Sequence, residues 1–315
     1  MKSSLSLPQA VDFYLRSRRR LGFALKTEER LLRSVVAFAQ RIHHRGPLTE
    51  AFAVDWARLP ADANPMWWAK RLMVVRGLAR FWQGFDPKIQ VPSAGVLGSS
   101  NCRRPIHIYS PKEISQLLQA ATTLSAAEGL RPATFKTLLG LLACTGLRIS
   151  EALSLQLRDF DCSAATLMIR RSKGGQSRLL PLTPSSVKAL QIYQRVRQEY
   201  CSHSSNTAFF LSENGKPLSY DQAKSTFRFL RKQLGWIKPP IPRLHDLRHT
   251  FAVSRLITWQ RRGGDEVNQK ILALATYLGH RNIRHTYWYL SAMPELLAIA
   301  SKRLVDSQKS EAAHD

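Results

Sequence analysis

The part of the sequence that decides the fold is an apolar run, Leu138-Leu-Gly-Leu-Leu-Ala-Cys144, which leads directly into Thr145-Gly-Leu-Arg148-Ile-Ser-Glu151. The run belongs to a helical pattern over residues 132–145 and predicts a buried helix. An arginine that leaves a buried helix is unusual, because its guanidinium group needs an anionic partner. Taken alone, Arg148 is explained equally well by an ion pair with Glu151 and by an anionic ligand.

The length and the composition predict two domains. A chain of 315 residues is too long for one ordinary compact domain, and a hydrophobic content of 44% is sufficient for real cores. Helical patterns over residues 1–85 predict a four-helix unit, and the prolines, glycines and serines of residues 86–105 predict a linker. A capping box that begins at Ser110 opens a second domain over residues 106–306, and residues 307–315 are predicted to be a flexible tail.

The second domain is predicted to be mainly helical with one small sheet. Alternating patterns over residues 166–170 and 177–181, on either side of Lys173-Gly-Gly175, predict a β-hairpin. The helical patterns cover residues 111–126, 132–145, 184–200, 219–234, 244–261, 265–278 and 294–305. The predicted fold class is therefore mainly α with a small β-sheet in the second domain.

The charge balance indicates a polyanionic partner. The chain has 47 lysine and arginine residues against 22 aspartate and glutamate residues, which gives a formal net charge of +25. Such an excess strains a compact fold by self-repulsion, so a nucleic acid or an anionic membrane surface would explain it. No apolar stretch approaches the ~18 residues of a membrane span. The sequence therefore favours a nucleic acid and no membrane.

Basic side chains on the predicted helices of the first domain are the candidate DNA contacts. Each of them alone is better explained as part of a solvated helix surface. Only the whole set, together with the net charge, indicates DNA binding. The candidates are Arg18, Arg19, Lys70, Arg71, Arg76 and Arg80.

The four cysteines of the chain, Cys102, Cys144, Cys162 and Cys201, include no Cys-x-x-Cys pair. Their spacing offers neither a zinc site nor a disulfide framework, and it suits reduced thiols in the cytosol. The N-terminus also lacks the apolar segment of a secretory signal. We therefore expect a cytoplasmic protein without a metal site.

Three further motifs follow in the second domain, and each is weak by itself. His245-Asp-Leu-Arg248 places a histidine and an arginine on one helix face, where both can meet one phosphate. Leu278-Gly-His280 has the pattern of a helix C-cap. The aromatic string Thr286-Tyr-Trp-Tyr289 is, on its own, most typical of a packed core.

In their order along the chain, these motifs resemble the tyrosine site-specific recombinases, which form the phage integrase family. The matching features are Arg148, the hairpin lysine, His-x-x-Arg, Gly-His and a tyrosine nine residues after that histidine. The resemblance covers about residues 106–306, and it extends to the first domain, as a helical core-binding domain, only by position and general character. The string that ends at Tyr289, followed by Pro294, is similar to recombinases carried by certain transposons.

The resemblance implies a site-specific recombinase that cleaves and rejoins DNA through a 3′-phosphotyrosine intermediate, in integration, excision or transposition of mobile DNA. Tyr289 would be the nucleophile, and Arg148 and Arg248 would bind the nonbridging oxygens of the phosphate with planar donor forks. Lys173, at the tip of the hairpin, would protonate the departing 5′-oxygen.

The resemblance also implies three supporting side chains. His245 and His280 would give hydrogen bonds to the phosphate and help to manage the tyrosine proton, and Glu151 would orient the pocket. The covalent link stores the energy of the broken bond. The reaction is therefore expected to need no metal ion, no ATP and no other cofactor.

The implied architecture is a two-domain C-shaped clamp on double-stranded DNA that carries a specific recombination site. The implied assembly is a homo-oligomer, a dimer on one site and a tetramer in the synapse, or a mixed assembly with sister recombinases, at the bacterial nucleoid. Two alternatives stay open. One is a type IB topoisomerase-like enzyme that relaxes DNA with the same phosphotyrosine chemistry, and the other is a non-catalytic DNA-binding accessory protein.

Two features depart from the pattern of the family. Arg248 and His280 are 32 residues apart, and residues 259–265 between them are expected to form an extended loop. Tyr287 is a rival nucleophile, although two tyrosines that are two residues apart on a helix face nearly opposite ways. The nine-residue spacing from His280 favours Tyr289.

Overall fold

The structure is a computed structural model that describes residues 5–100, 105–124, 129–170, 177–200, 206–262, 267–280 and 282–292. The chain divides into two compact units, Met1–Arg104 and Pro105–Asp315. Among the described residues, no helix is long and apolar enough to cross a bilayer. Both units are built mainly from helices.

Over residues 5–100, the first unit contains four helices, α1 (Leu7–Arg20), α2 (Lys26–Arg41), α3 (Glu50–Arg58) and α4 (Pro65–Gln83). Two of them begin at polar capping residues. The hydroxyl of Thr49 accepts a hydrogen bond from the Phe52 amide at 3.2 Å, and the side chain of Asn64 accepts one from the Met66 amide at 2.9 Å. The apolar faces of the four helices close around a core that includes Trp56, which is fully buried.

The second unit carries eight described helices and one sheet. The helices are α5 (Pro111–Ala121), α6 (Leu130–Thr145), α7 (Ile149–Leu153), α8 (Pro184–Tyr200), α9 (Tyr220–Gln233), α10 (Leu244–Arg262), α11 (Val267–Leu278) and α12 (Arg284–Ala292). The apolar helix α6 packs against α5, α8 and α10 and forms the centre of the unit. The mainly helical fold with a small sheet is thereby confirmed.

The sheet has three antiparallel strands in the order β1 (Phe160–Asp161), β2 (Thr166–Ile169) and β3 (Arg178–Pro181). Thr166 pairs with Pro181 and Ile169 pairs with Arg178, so β2 and β3 are the two arms of the predicted hairpin. The two-residue strand β1 was not predicted, because it is too short to show an alternating pattern. Lys173, at the tip of the hairpin, lies outside the described residues.

Helix α6 ends at Gly146, and this glycine fixes where the chain turns. Its φ of +63° lies in the left-handed region, which a side chain strains. A Cβ atom at this position would lie 2.6 Å from Cδ1 of Phe251 and 3.1 Å from Cδ2 of Leu278. The close approach of α10 and α11 therefore requires glycine, and the turn that follows delivers Arg148 to the start of α7.

The expectation of an extended loop over residues 259–265 is wrong for the part that the structure describes. Helix α10 continues to Arg262, and α11 begins at Val267. The helix can include this segment, because Trp259, Gln260 and the two arginines after them are all compatible with a helix. These residues therefore extend α10 and do not form a loop. Residues 263–266 lie outside the described residues, as does the helix predicted over residues 294–305.

The candidate DNA contacts of the first unit differ in their exposure. Arg19, Lys70 and Arg80 are exposed, although Arg19 also pairs with Glu29. Arg18 and Arg76 are half-buried. The guanidinium carbon of Arg18 lies 3.9 Å from the centre of the Phe23 ring, and Nε of Arg76 donates to the carbonyl of Pro92.

Arg71 is not the surface cation that the sequence suggested. It is only 8% exposed, and its guanidinium donates to the carbonyl oxygens of Ala57 at 3.1 Å and Trp56 at 2.7 Å. The same group lies 3.9 Å from the centre of the Trp56 ring. Arg71 therefore donates to carbonyl oxygens at the C-terminal end of α3 and does not present its charge to a ligand.

Candidate active site

Arg148 stands at the N-terminus of α7, where the turn after α6 leaves it. Its Nη1 donates to Oε1 of Glu151 at 2.8 Å, and its own amide donates to Oε2 of the same carboxylate at 3.0 Å. Its Nη2 donates to the carbonyl oxygen of Gly279 at 3.0 Å. The ion pair with Glu151 that the sequence allowed is thus present, and it fixes the direction of a guanidinium group that is still partly exposed.

A second arginine holds the other side of the same carboxylate. Nη1 and Nη2 of Arg178, on β3, donate to the two oxygens of Glu151 at 3.1 Å and 2.9 Å. Glu151 is only 4% exposed. Its burial disfavours the charged form, but the hydrogen bonds from Arg178 and Arg148 outweigh this and lower the pKa of Glu151 below its ordinary value. The carboxylate therefore stays ionised between two cations.

Arg248 is the most buried cation of the site, at 2% exposure. Its Nη1 donates to the carbonyl of Gly146 at 2.8 Å, and its Nη2 donates to the carbonyl of Leu278 at 2.7 Å. Both acceptors lie at the C-terminal ends of helices, α6 and α11, where the helix dipole favours a cation. Burial and the nearby Arg148 cation lower the pKa of Arg248 to about 10, which still leaves it charged at neutral pH.

Helix α10 also presents two histidines on one face. The rings of His245 and His249 meet edge to face, 4.7 Å apart. Burial and the Arg248 cation lower the pKa of His245 to about 4, although part of this residue remains exposed to solvent. Burial and the neighbouring His245 lower the pKa of His249 to about 3. Both imidazoles are therefore neutral near pH 7.

Tyr289 lies on α12, and its hydroxyl oxygen is 2.8 Å from Nδ1 of His249. The residue is 2% exposed, whereas Tyr287 is 42% exposed, as expected for two side chains on different faces of one helix. Burial raises the pKa of Tyr289 to about 12, and the cations of Arg248 and Arg148 act in the opposite direction. The phenol is thus neutral near pH 7, and the fields of both arginines reach it.

His280 follows the glycine that ends α11. Nδ1 of His280 lies 2.7 Å from the hydroxyl of Thr286, which is fully buried at the start of α12. Gly279 has a φ of +67°, and its carbonyl accepts the bond from Arg148. The end of α11 therefore places His280 next to the segment that carries Tyr289.

The structure brings together five of the six predicted catalytic residues, and Lys173 is the one that lies outside the described residues. Two participants were missed from the sequence. His249 is four residues after His245, so the helix spacing already placed it on the same face. Arg178 gave no local signal, because its partner Glu151 is 27 residues away. Among the described residues, no group of histidines, cysteines and carboxylates could hold a metal ion.

The chain belongs to the phage integrase family, whose family model matches residues 108–295. It is a tyrosine recombinase, an enzyme of site-specific DNA recombination. Integrase/recombinase y4rB of Sinorhizobium fredii is 38% identical over 303 residues, which are 94% of this chain and 96% of that protein. Tyrosine recombinase XerD of Mycobacterium tuberculosis is 31% identical over 223 residues, 70% of this chain and 68% of that protein.

Solved structures share the fold. The Tn1549 transposon integrase, in complex with transposon right end DNA, has a TM-score of 0.67 at 19% identity and covers 94% of this chain and 99% of that one. The XerH site-specific recombinase, bound to a palindromic difH substrate after cleavage, has a TM-score of 0.63 at 17% identity, with coverages of 94% and 84%. The likeness at this level of identity concerns the fold.

Proposed function

We propose that this chain cleaves and rejoins double-stranded DNA at a specific site, with Tyr289 as the nucleophile. The observation that carries the proposal is the position of the Tyr289 hydroxyl. It is buried, bound to His249 at 2.8 Å, and close enough to Arg248 and Arg148 that both cations act on its pKa. The ring of Tyr289 packs in an apolar cluster with residues such as Phe251 and Leu278, so packing accounts for the ring. The hydroxyl, which contacts His249 within the field of two arginines, suits an attack on a phosphate held by the same arginines.

In the proposed step, the oxygen of Tyr289 forms a bond to the scissile phosphorus while the bond from phosphorus to the 5′-oxygen breaks. Arg148 and Arg248 bind the nonbridging oxygens and stabilise the additional charge of the transition state. Because burial raises the pKa of Tyr289 to about 12, the phenol is protonated near pH 7 and gives up its proton during the step. Attack by a 5′-hydroxyl reverses the step and reseals the strand.

The remaining roles follow the family pattern. Lys173 gives a proton to the departing 5′-oxygen. His245, which solvent reaches, and His280 give hydrogen bonds to the phosphate and help to manage the tyrosine proton. Glu151 orients Arg148 through the bonds described above. We assign to His249 the role of directing the Tyr289 hydroxyl. Because cationic side chains cover the phosphate, the step is expected to proceed in EDTA and without ATP.

The first unit is proposed to be a DNA-binding domain over residues 1–85, with residues 86–105 as the linker to a catalytic domain over residues 106–306. Its exposed cations Arg19, Lys70 and Arg80 support this, and so does the net charge of +25. The neighbouring structures include a lambda integrase dimer bound to a COC′ core site. By analogy we propose a dimer on one site, a tetramer in the synapse, and action at the bacterial nucleoid.

The test is to capture the covalent intermediate from a pool of DNA duplexes with a randomised central segment. After incubation in EDTA, protein that carries DNA through a denaturing gel is recovered and the attached DNA is sequenced, which also reveals the target site. We expect adducts with the native chain and with Tyr287→Phe, and none with Tyr289→Phe. Adducts with Tyr289→Phe but not with Tyr287→Phe would overturn the assignment of the nucleophile.

The same pool separates the alternatives. A type IB topoisomerase-like enzyme would give adducts without a common sequence and would relax any supercoiled plasmid. An accessory protein would bind DNA but give no adduct with the native chain. A shared sequence in the covalent fraction, combined with loss of the fraction in Tyr289→Phe, is the result expected of a site-specific recombinase.

A further inference from the structure

The two arms of the β-hairpin each carry an arginine that is paired with a buried carboxylate. Near the end of β2, Arg170 pairs with Asp159, and on β3, Arg178 pairs with Glu151. The two carboxylates are similarly enclosed, with side-chain exposures of 2% and 4%. The difference that matters for the site is that Glu151 also binds Arg148. Only the second pair is therefore connected to a residue of the proposed site.

Each of the three nitrogens of the Arg178 guanidinium group has a hydrogen-bond acceptor. Nε donates to the carbonyl of Tyr277 at 2.8 Å, while the two terminal nitrogens take the two oxygens of Glu151. A Cβ atom on Gly279 would lie 2.8 Å from Nη1 of Arg178, so a larger residue there would displace the guanidinium group. The carbonyl of that same glycine accepts the bond from Arg148. The end of α11 thus holds both arginines at once.

The charges show what Arg178 adds. Arg148 and Glu151 alone form a neutral pair, which attracts a phosphate only weakly. With Arg178 the group of three carries one net positive charge, and the carboxylate divides its acceptor capacity between two guanidinium groups. A carboxylate that is already satisfied on one side competes less for the donors of Arg148. More of those donors then remain for a phosphate oxygen.

We propose that Arg178 is a positioning residue of the reaction, which sets the orientation and the available charge of Arg148 through Glu151. The inference rests on the proposed function, because it assumes that Arg148 binds the scissile phosphate. Arg178 itself is not expected to touch the DNA. The three acceptors around Arg178 require a planar guanidinium group. A lysine can satisfy only one of them with the same geometry.

The experiment compares two substrates of the sequence recovered from the covalent pool. One has the natural phosphate at the cleaved position, and the other has a neutral methylphosphonate there. The methylphosphonate carries one negative charge less, so its transition state depends less on stabilisation by arginine cations. A variant that has lost this stabilisation should therefore lose less of its rate on the neutral substrate. A general distortion of the protein penalises both substrates alike. Single-turnover adduct formation is measured at saturating DNA.

We expect Arg178→Met to slow adduct formation about 10–100-fold on the phosphate and no more than about threefold on the methylphosphonate. Arg178→Lys should also lose more rate on the phosphate than on the methylphosphonate, but by a smaller factor. It serves as the second variant if Arg178→Met does not fold. Arg170→Met removes the matched pair on the other arm. It should stay within about twofold of the native rate on both substrates.

Equal losses on the two substrates, or no loss on the phosphate, would overturn the role of Arg178. A loss in Arg170→Met of the same size and the same substrate dependence would also overturn it, because it would show that either arm has this effect. Failure of the proposed function looks different. In that case the native chain gives no adduct, or Tyr289→Phe still gives one, before any Arg178 variant is measured.

Discussion

Two arginines, one in each unit, are buried in the same way but have different surroundings. Arg71 in the first unit and Arg248 in the second are 8% and 2% exposed, and each guanidinium donates to two main-chain carbonyls. Arg71 lies against the face of Trp56, and burial alone lowers its pKa. For Arg248, the Arg148 cation adds to the effect of burial, and the phenol of Tyr289 is nearby.

The surroundings of the two residues, and not their burial, distinguish a functional arginine from a structural one. Burial and hydrogen bonds to the backbone are common to both residues, so neither property marks a site. A second cation beside a buried one raises the free energy of the folded protein unless an anion offsets it. Glu151 offsets one charge, but Arg148, Arg178 and Arg248 bring three. The excess around Arg248 points to an anion from outside the chain, whereas Arg71 has no such excess.

The largest expected effect concerns the chemistry. Arg248→Lys should slow single-turnover adduct formation about 10²–10³-fold at saturating DNA, because lysine lacks the planar donor fork. Arg71→Lys should leave that rate unchanged, because its environment is filled by Trp56 and by carbonyl groups of α3. The measurement is the denaturing gel with the recovered target duplex. Equal losses in the two variants would abolish the distinction between the two arginines.

The next prediction concerns the stability of the first unit, to which the buried contacts of Arg71 are expected to contribute. Arg71→Met should destabilise the first unit by about 2–3 kcal/mol, since two carbonyls lose their donor and the Trp56 ring loses its cation. Native-state hydrogen exchange of α3 and α4 in the full chain measures this. Arg80→Met, on the exposed side of the same helix, is the matched control and should stay within about 0.5 kcal/mol. A change no larger than that in Arg71→Met would show that its buried contacts contribute nothing.

The sequence was sufficient where the decisive contacts are local. The ion pair between Arg148 and Glu151, one of the two explanations that the sequence left open for Arg148, joins residues three apart at a helix start. The shared face of His245 and Arg248 on α10 follows from helix geometry. The hairpin followed from two alternating stretches around a glycine pair. In each case, neighbours along the chain determine which side chains meet.

The sequence was insufficient where contacts connect distant elements. Arg71 looked like a surface cation because its burial depends on the end of α3, 14 and 15 residues earlier. The bond between Arg178 and Glu151 spans 27 residues, and the bond between His249 and Tyr289 spans 40. The extended loop expected over residues 259–265 overlapped the end of the predicted helix 244–261, and the structure continues α10 to Arg262. Only packing determines such relationships.

The aromatic neighbours of the two arginines also differ. Trp56 meets Arg71 with the face of its ring, whereas Tyr289 brings a hydroxyl into the pocket of Arg248, and His249 holds that hydroxyl. The low pKa of His249, about 3, makes its imidazole a weak base near pH 7 but a good neutral acceptor. We therefore expect His249 to direct the nucleophile, and not to receive its proton.

Two substitutions of His249 test this expectation, because each keeps a polar group near the position of only one ring nitrogen. The amide oxygen of His249→Asn takes nearly the position of Nδ1, whereas the polar group of His249→Gln lies near that of Nε2. We expect the asparagine variant to form adducts at close to the native rate. The glutamine variant should be slower by about tenfold, the value of one hydrogen bond of about 1.4 kcal/mol. Both should bind the target duplex with native affinity, as measured by a mobility shift in a Tyr289→Phe background. Equal, large losses in the two variants would mean that the basicity of the imidazole is required, and His249 would then be the proton acceptor of Tyr289.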